Sequence, residues 1–145
     1  VKEYITFFIV ISLLDEFGII GVREQGDFSG SNLPFTTEIH LTADIDYRTP
    51  LSANMEFYAG VSVLYNSEAN STFGNPEMTR ITDFTTVDMR IGVSAPDGKW
   101  SLGLWGKNIT DEYYWSSQFI TQDVLVRYSA RPATYGLAFN YRFDN

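Results

Sequence analysis

Thr134-Tyr135-Gly136-Leu137-Ala138-Phe139-Asn140-Tyr141-Arg142-Phe143 decides the fold. Tyr135, Leu137, Phe139, Tyr141 and Phe143 fall on one side of an extended chain. Thr134, Gly136, Ala138, Asn140 and Arg142 fall on the other. Side chains alternate across a strand, so a period of two with the rings in phase predicts a β-strand with one apolar face.

The same split recurs upstream. Ile39, Leu41, Ala43, Ile45 and Tyr47 oppose His40, Thr42, Asp44 and Asp46. Met55, Phe57, Ala59, Val61, Val63 and Tyr65 oppose Glu56, Tyr58, Gly60 and Ser62. Val87, Met89, Ile91, Val93 and Ala95 oppose Asp88, Arg90, Gly92 and Ser94, and Trp100, Leu102, Leu104 and Gly106 oppose Ser101, Gly103, Trp105 and Lys107. The apolar side of these strands carries no charge, whereas the other side holds His40, Asp44, Asp46, Glu56, Asp88, Arg90, Lys107 and Arg142. Soluble strands average about five or six residues, and these run nearer ten or twelve. A strand of that length, tilted near 45°, matches the apolar band of a bilayer.

Composition agrees with this pattern. Of 145 residues 16% are aromatic, Gly is frequent, and the mean hydropathy is only -0.12. Transmembrane strands hide their apolarity by alternating it with polar residues. The net charge of -8, with ten basic residues scattered singly, argues against nucleic acid. Without Cys there is neither a disulfide framework nor a thiolate metal site. The apolar run Ile5 to Leu14 is about half the length of a membrane helix and is read as a first strand, although Phe8 and Val10 make both its faces apolar.

Connections alternate in length. Thr49-Pro50-Leu51-Ser52 and Pro96-Asp97-Gly98-Lys99 are expected to be tight turns. Long polar stretches separate them, at Asp15 to Pro34, Asn66 to Asp83 and Asp111 to Arg131. Short turns on one side and long loops on the other are the asymmetry of an outer-membrane barrel. Aromatics at the strand ends would form two interfacial girdles: Tyr47, Phe57, Trp100, Tyr141 and Phe143 at one rim, Phe35, Tyr65, Phe84 and Tyr135 at the other. The expected fold class is therefore all-β, an antiparallel transmembrane barrel segment of six strands. Bacterial single-chain barrels have at least about eight, so residues 1–145 are expected to be part of a larger barrel.

Leu104-Trp105-Gly106-Lys107-Asn108-Ile109-Thr110-Asp111-Glu112-Tyr113 resembles the N-L-T-D-x-x-Y segment near the end of TonB-dependent outer-membrane receptors. Asn108, Thr110, Asp111 and Tyr113 carry that motif. Ala130-Arg131-Pro132-Ala133-Thr134-Tyr135-Gly136 is similar to the family's Pro-Arg-x-(Tyr/Phe)-Gly start of the last strand, with Arg and Pro in reverse order. Ser31-Asn32-Leu33-Pro34 resembles its L-P-x-x-P segment without the second Pro. The resemblance covers residues 28 to 143. It implies a barrel of about 22 strands with a separate plug domain outside this chain. It also implies a Gram-negative outer-membrane location and uptake of a scarce small-molecule ligand, such as an iron–siderophore complex, vitamin or saccharide. A TonB-type energy-transducing complex, engaged through the missing N-terminal part, would be the partner. Thr134-x-Gly136-x-x-Phe139-x-Tyr141 with Phe143 resembles the C-terminal signal that barrel-assembly machinery reads, although Asp144 and Asn145 overhang it.

No catalytic residues, metal or cofactor are expected. His40, Asp44 and Asp46 share a face, but the polar lining of a water-filled lumen accounts for them. Asp111 and Glu112 begin a loop and lack the setting of an acid–base pair, and Gly26 to Gly30 lacks the spacing of a nucleophile elbow. Ligand contacts are expected in the outer loops, at Tyr113, Tyr114, Trp115 and Phe119, and at Arg80 with Phe73 and Met78 second. Interfacial anchoring is the alternative for the aromatic loop. For the whole chain the alternatives are a passive porin-type barrel and a soluble β-sandwich binding module.

Overall fold

The structure, a computed structural model, describes residues 4–13 as a backbone, together with residues 32–73 and 76–143. In chain order its elements are β1 (Tyr4–Leu13), β2 (Ile39–Ser52), β3 (Met55–Asn66), β4 (Ala69–Asn70), α1 (Pro76–Thr79), β5 (Arg80–Ile81), β6 (Phe84–Ser94), β7 (Trp100–Lys107), β8 (Trp115–Thr121), β9 (Val124–Ser129) and β10 (Thr134–Tyr141). The expected connection from Asp15 to Pro34 lies outside the described residues as far as Ser31, and so do Gly26 to Gly30, Asp144 and Asn145.

Six strands form one antiparallel sheet in the order β1-β2-β3-β6-β7-β10. These are the six expected strands, and their connections alternate long and short, beginning long. The sheet is a meander and does not close on itself among the described residues.

Register keeps the two faces in phase from strand to strand. Val61 pairs with Ile45 on one side and Met89 on the other. Ala59 joins Tyr47 to Ile91, Leu104 joins Ile91 to Leu137, and Leu102 joins Val93 to Phe139. The β1 backbone continues this register, with Ile9 opposite Ala43. A slip of one residue would have moved a whole strand's apolar set to the other face. The outcome is a single uncharged surface across β2, β3, β6, β7 and β10.

Nothing among the described residues covers that surface. Among the described residues the buried apolar side chains are Ala69, Ile81 and Ala95 alone. Leu104, Leu137 and Phe139 are each more than half exposed, at 58%, 67% and 64%. Such a sheet lacks the packed core that water-soluble domains build by covering one layer with another.

Turn positions depart from expectation in one place. Thr49-Pro50-Leu51-Ser52 belongs to β2, and the chain reverses at Ala53-Asn54 instead. Pro50 is accommodated because the register shifts between Pro50 and Ser52, and a bulge is one of the few strand sites that tolerates a missing N–H. Tyr47 consequently lies inside β2, well short of its end at Ser52, and packs edge-on against Phe57 with centroids 6.4 Å apart. The second turn is where the sequence put it. Gly98 takes φ +69° and donates to Ala95 O at 2.9 Å, while Lys99 N donates to Asp97 Oδ1 at 3.0 Å.

Two of the long polar stretches are not plain loops. The first contains the two-residue strands β4 and β5 and the single turn α1, and the second contains the β8–β9 hairpin. Gln122 and Asp123 form the hairpin's two-residue tip, both with positive φ (45° and 66°). Two left-handed residues match the strand twist, as in a type I′ turn, though Asn-Gly is the usual pair there.

Candidate ligand-binding site

The polar face is built from side chains that lie along the sheet. Arg90 of β6 reaches across β3 to Asp46 of β2 and makes a charge-assisted hydrogen bond to its carboxylate. Ser62 donates to Asp44. His40 Nδ1 sits 2.5 Å from Asn66 Oδ1, and its Nε2 lies 3.3 Å from Thr42 Oγ1. Each member of the expected His40, Asp44 and Asp46 cluster thus has its own neighbour, and no group of three metal-ligating side chains occurs among the described residues.

Tyr58 and Trp105, like Phe84 of β6, break the pattern of aromatics on the apolar side. Tyr58 extends over Gly103, and Trp105 lies over Gly136, its partner in the β7–β10 register. A Cβ at Gly136 would run into the six-membered ring of the indole, and one at Gly103 would meet the Tyr58 hydroxyl. These glycines are what allow the two rings to approach the sheet backbone so closely.

Above Trp105 that space is a cavity of about 600 Å³. Asp88, Trp105 and Lys107 form its floor, and Tyr114, Ser116 and Arg131 its upper wall. A second hollow, toward Gly60 and Ser62, shares Asp88, Trp105 and Lys107, so the groove continues across β6 onto β3. The Tyr114 ring stacks on Phe84 with centroids 3.7 Å apart and planes 6° apart. Its phenol is raised above the ordinary tyrosine range, first by burial and then by the negative charge of Asp88. It therefore remains a neutral hydrogen-bond donor at neutral pH.

Asn108 fixes the upper end of this groove. It is buried, and its left-handed backbone (φ 49°) suits Asn. Its N–H donates to Asp88 Oδ1 at 2.9 Å, and its Nδ2 donates to Glu112 O at 2.9 Å and Arg131 O at 3.0 Å. Its Oδ1 accepts from Glu112 N at 3.0 Å. Asp111, also left-handed, accepts from Ala133 N at 2.8 Å. The Asn108 and Asp111 side chains therefore tie the end of β7 to the segment that starts β10. Thr110 and Tyr113 are exposed.

The outer hairpins are fastened to each other. Gln118 of β8 is 1% exposed, and its Nε2 donates to Arg80 O at 2.7 Å. Its Oε1 accepts from Arg127 Nε at 2.9 Å, and its backbone carbonyl accepts from Ser71 Oγ. Arg127 also covers the Trp115 ring, 5.3 Å from its centroid.

Sequence-expected contact residues are thus divided among several places. Tyr114 lines the groove, while Tyr113 and Trp115 pack edge-on at 5.3 Å, with Tyr113 68% exposed. Phe119 packs with Tyr128 at 6.0 Å. The Arg80 guanidinium pairs with Glu68, and its carbonyl serves the Gln118 clasp. Phe73 and Met78 lie partly exposed in the first outer loop. Gly136, Phe139 and Tyr141 belong to the last strand, and Phe143 lies just beyond its end, packing edge-on against Tyr141 at 4.8 Å. Asp88, Trp105, Lys107 and Arg131 were not among the expected contacts. A Trp on the polar side of a strand was the available signal for them.

No protein-family model, curated protein or solved structure matches this chain.

Proposed function

We propose that this chain is a wall segment of an outer-membrane β-barrel of the TonB-dependent receptor type, a non-enzymatic carrier of small ligands. One observation carries the reading. An uncharged face runs unbroken across the strands of a single sheet and stays exposed, while β2, β3, β6 and β7 turn their charges to the other side. A soluble sheet would have to cover that face with a second layer, and none lies on it among the described residues. In a bilayer the acyl chains cover it and the polar face lines water. No helix among the described residues is long and apolar enough to cross a membrane, so crossing would fall to the strands. Resemblance of the 104–113 and 130–136 segments to TonB-dependent receptors favours an energy-coupled receptor over a passive porin.

Single-cysteine labelling of the complete protein in isolated outer membranes tests the reading. Cysteine at Leu104 or Leu137 should resist a water-soluble maleimide and be quenched by spin-labelled lipid. Cysteine at Ser62 or Ala138 should behave in the opposite way. Equal labelling of both sets, or recovery of the protein in the soluble fraction, would refute it.

A further inference from the structure

We infer that the groove over Trp105 binds a saccharide, an inference that rests on the reading of the polar face as a transport lumen. Three features of the groove converge on that class. Its floor is an indole that lies close over Gly136 and lines the cavity, so aromatic surface is offered to whatever fills it. An aromatic face attracts the positive edge of C–H bonds, and a pyranose ring presents such C–H groups on its faces. The groups around the plate include both acceptors and donors. Asp88 supplies a carboxylate, of which Oδ1 already takes the Asn108 N–H. Lys107 lines the same wall and makes no ion pair among the described residues, and Arg131, Ser116 and Thr134 stand beside it. Sugar hydroxyls donate and accept at once, and so satisfy such a mixed rim.

Other ligand classes fit less well. A purely apolar ligand would strip water from the Asp88 carboxylate and the Lys107 ammonium and return no hydrogen bonds. A small anion would use Lys107 and Arg131 but leave the aromatic floor idle, with Asp88 opposing it. The shape agrees as well. The cavity of about 600 Å³ is of small-ligand size, and the contiguous hollow over Gly60 and Ser62 extends it along the sheet, as a chain of linked rings requires.

The experiment uses the complete protein, purified in a detergent without a sugar headgroup, and isothermal titration calorimetry. The probes are maltohexaose, cellohexaose, xylohexaose, chitohexaose and hexagalacturonate. At least one should bind. Trp105→Ala should weaken that binding roughly tenfold, the loss of one aromatic contact of about 1.4 kcal/mol. Trp105→Phe keeps a flat ring and should retain most of the affinity, and Trp100→Ala, on the opposite face, should leave it unchanged. Heat-modifiable gel mobility and outer-membrane fractionation report folding and location for every variant. If a correctly inserted protein binds none of the five, or binds equally well after Trp105→Ala, the saccharide assignment falls and the barrel reading stands. If the protein binds a saccharide through Trp105 but is not inserted in the membrane, the barrel reading falls and the groove keeps its ligand.

Discussion

Leu137 and Ala138 are neighbours in β10, at nearly the same depth, and point to opposite faces. Introducing Arg at each therefore isolates what lies on either side of the sheet. Leu137 is 67% exposed, so only about a third of its apolar surface is covered by protein. Fully burying a leucine contributes about 2 kcal/mol, and losing that third costs roughly 0.7 kcal/mol whatever lies outside. If water lay outside, Leu137→Arg would cost little more, as surface substitutions do. If acyl chains lie outside, the guanidinium adds roughly 2–4 kcal/mol near the bilayer midplane. Ala138→Arg extends over the polar face, where its charge stays in water, and should cost less than about 1 kcal/mol. The expected gap is thus at least about 2 kcal/mol, close to a thirtyfold change in the folding equilibrium. Denaturant titration of the complete protein in lipid vesicles measures both values. A gap below about 1 kcal/mol, or a larger cost at Ala138, would overturn the assignment of faces.

Exchanging Tyr141 and Phe143 for Ser should lower the protein's abundance in isolated outer membranes and leave ligand affinity per molecule unchanged, because Tyr141 ends the apolar side of the last strand and Phe143 packs against it just beyond. Replacing Tyr114 and Trp115 with Ala should do the reverse, with normal abundance and weakened binding. Normal insertion with lost affinity in the strand variant would reject the assembly role. Asp123→Gly should stabilise the β8–β9 hairpin by about 1 kcal/mol, since its φ of 66° strains a residue bearing a Cβ. Slower amide exchange at Phe119 to Val126 is the readout. Gln118→Leu should leave Arg80 O and Arg127 Nε without their partners and cost about 1–3 kcal/mol locally. Amide exchange should then quicken in residues 67–83 as well as in residues 115–129, and a change confined to the second segment would show that the hairpins are independent.

Strands were legible in the sequence because successive residues alternate between an apolar and a polar face of one sheet. In β10 and just past its end, that alternation places rings at every second position from Tyr135 to Phe143 except Leu137. The first turn was misplaced because Pro50 is ordinarily a turn residue, and only its pairing opposite Glu56 beside a bulge keeps it in a strand. The β8–β9 hairpin was hidden for two reasons. An extra residue at Ser116 shifts the alternation between Trp115 and Ser117, and the tip is Gln-Asp with no glycine. The groove was less legible still. Its floor depends on Gly136, 31 positions from the Trp105 ring it accommodates, and such a pairing exists only once β7 and β10 are in register.

The bonds that join the two outer hairpins end largely on main-chain atoms. Ser71 Oγ reaches the carbonyls of Thr79 and Gln118, and Gln118 Nε2 reaches the carbonyl of Arg80. A carbonyl is offered by whatever residue stands at a site, so these bonds respond to spacing more than to side-chain identity. Residues 79 and 80 can change and still serve as acceptors, whereas an insertion between Ser71 and Arg80 would carry both carbonyls out of reach. Loop length is therefore constrained together with the donors Ser71 and Gln118, whereas the acceptor positions contribute through their backbone. Exposed positions beside the tip, such as Val124, can accumulate substitutions while the distance between the hairpins stays fixed.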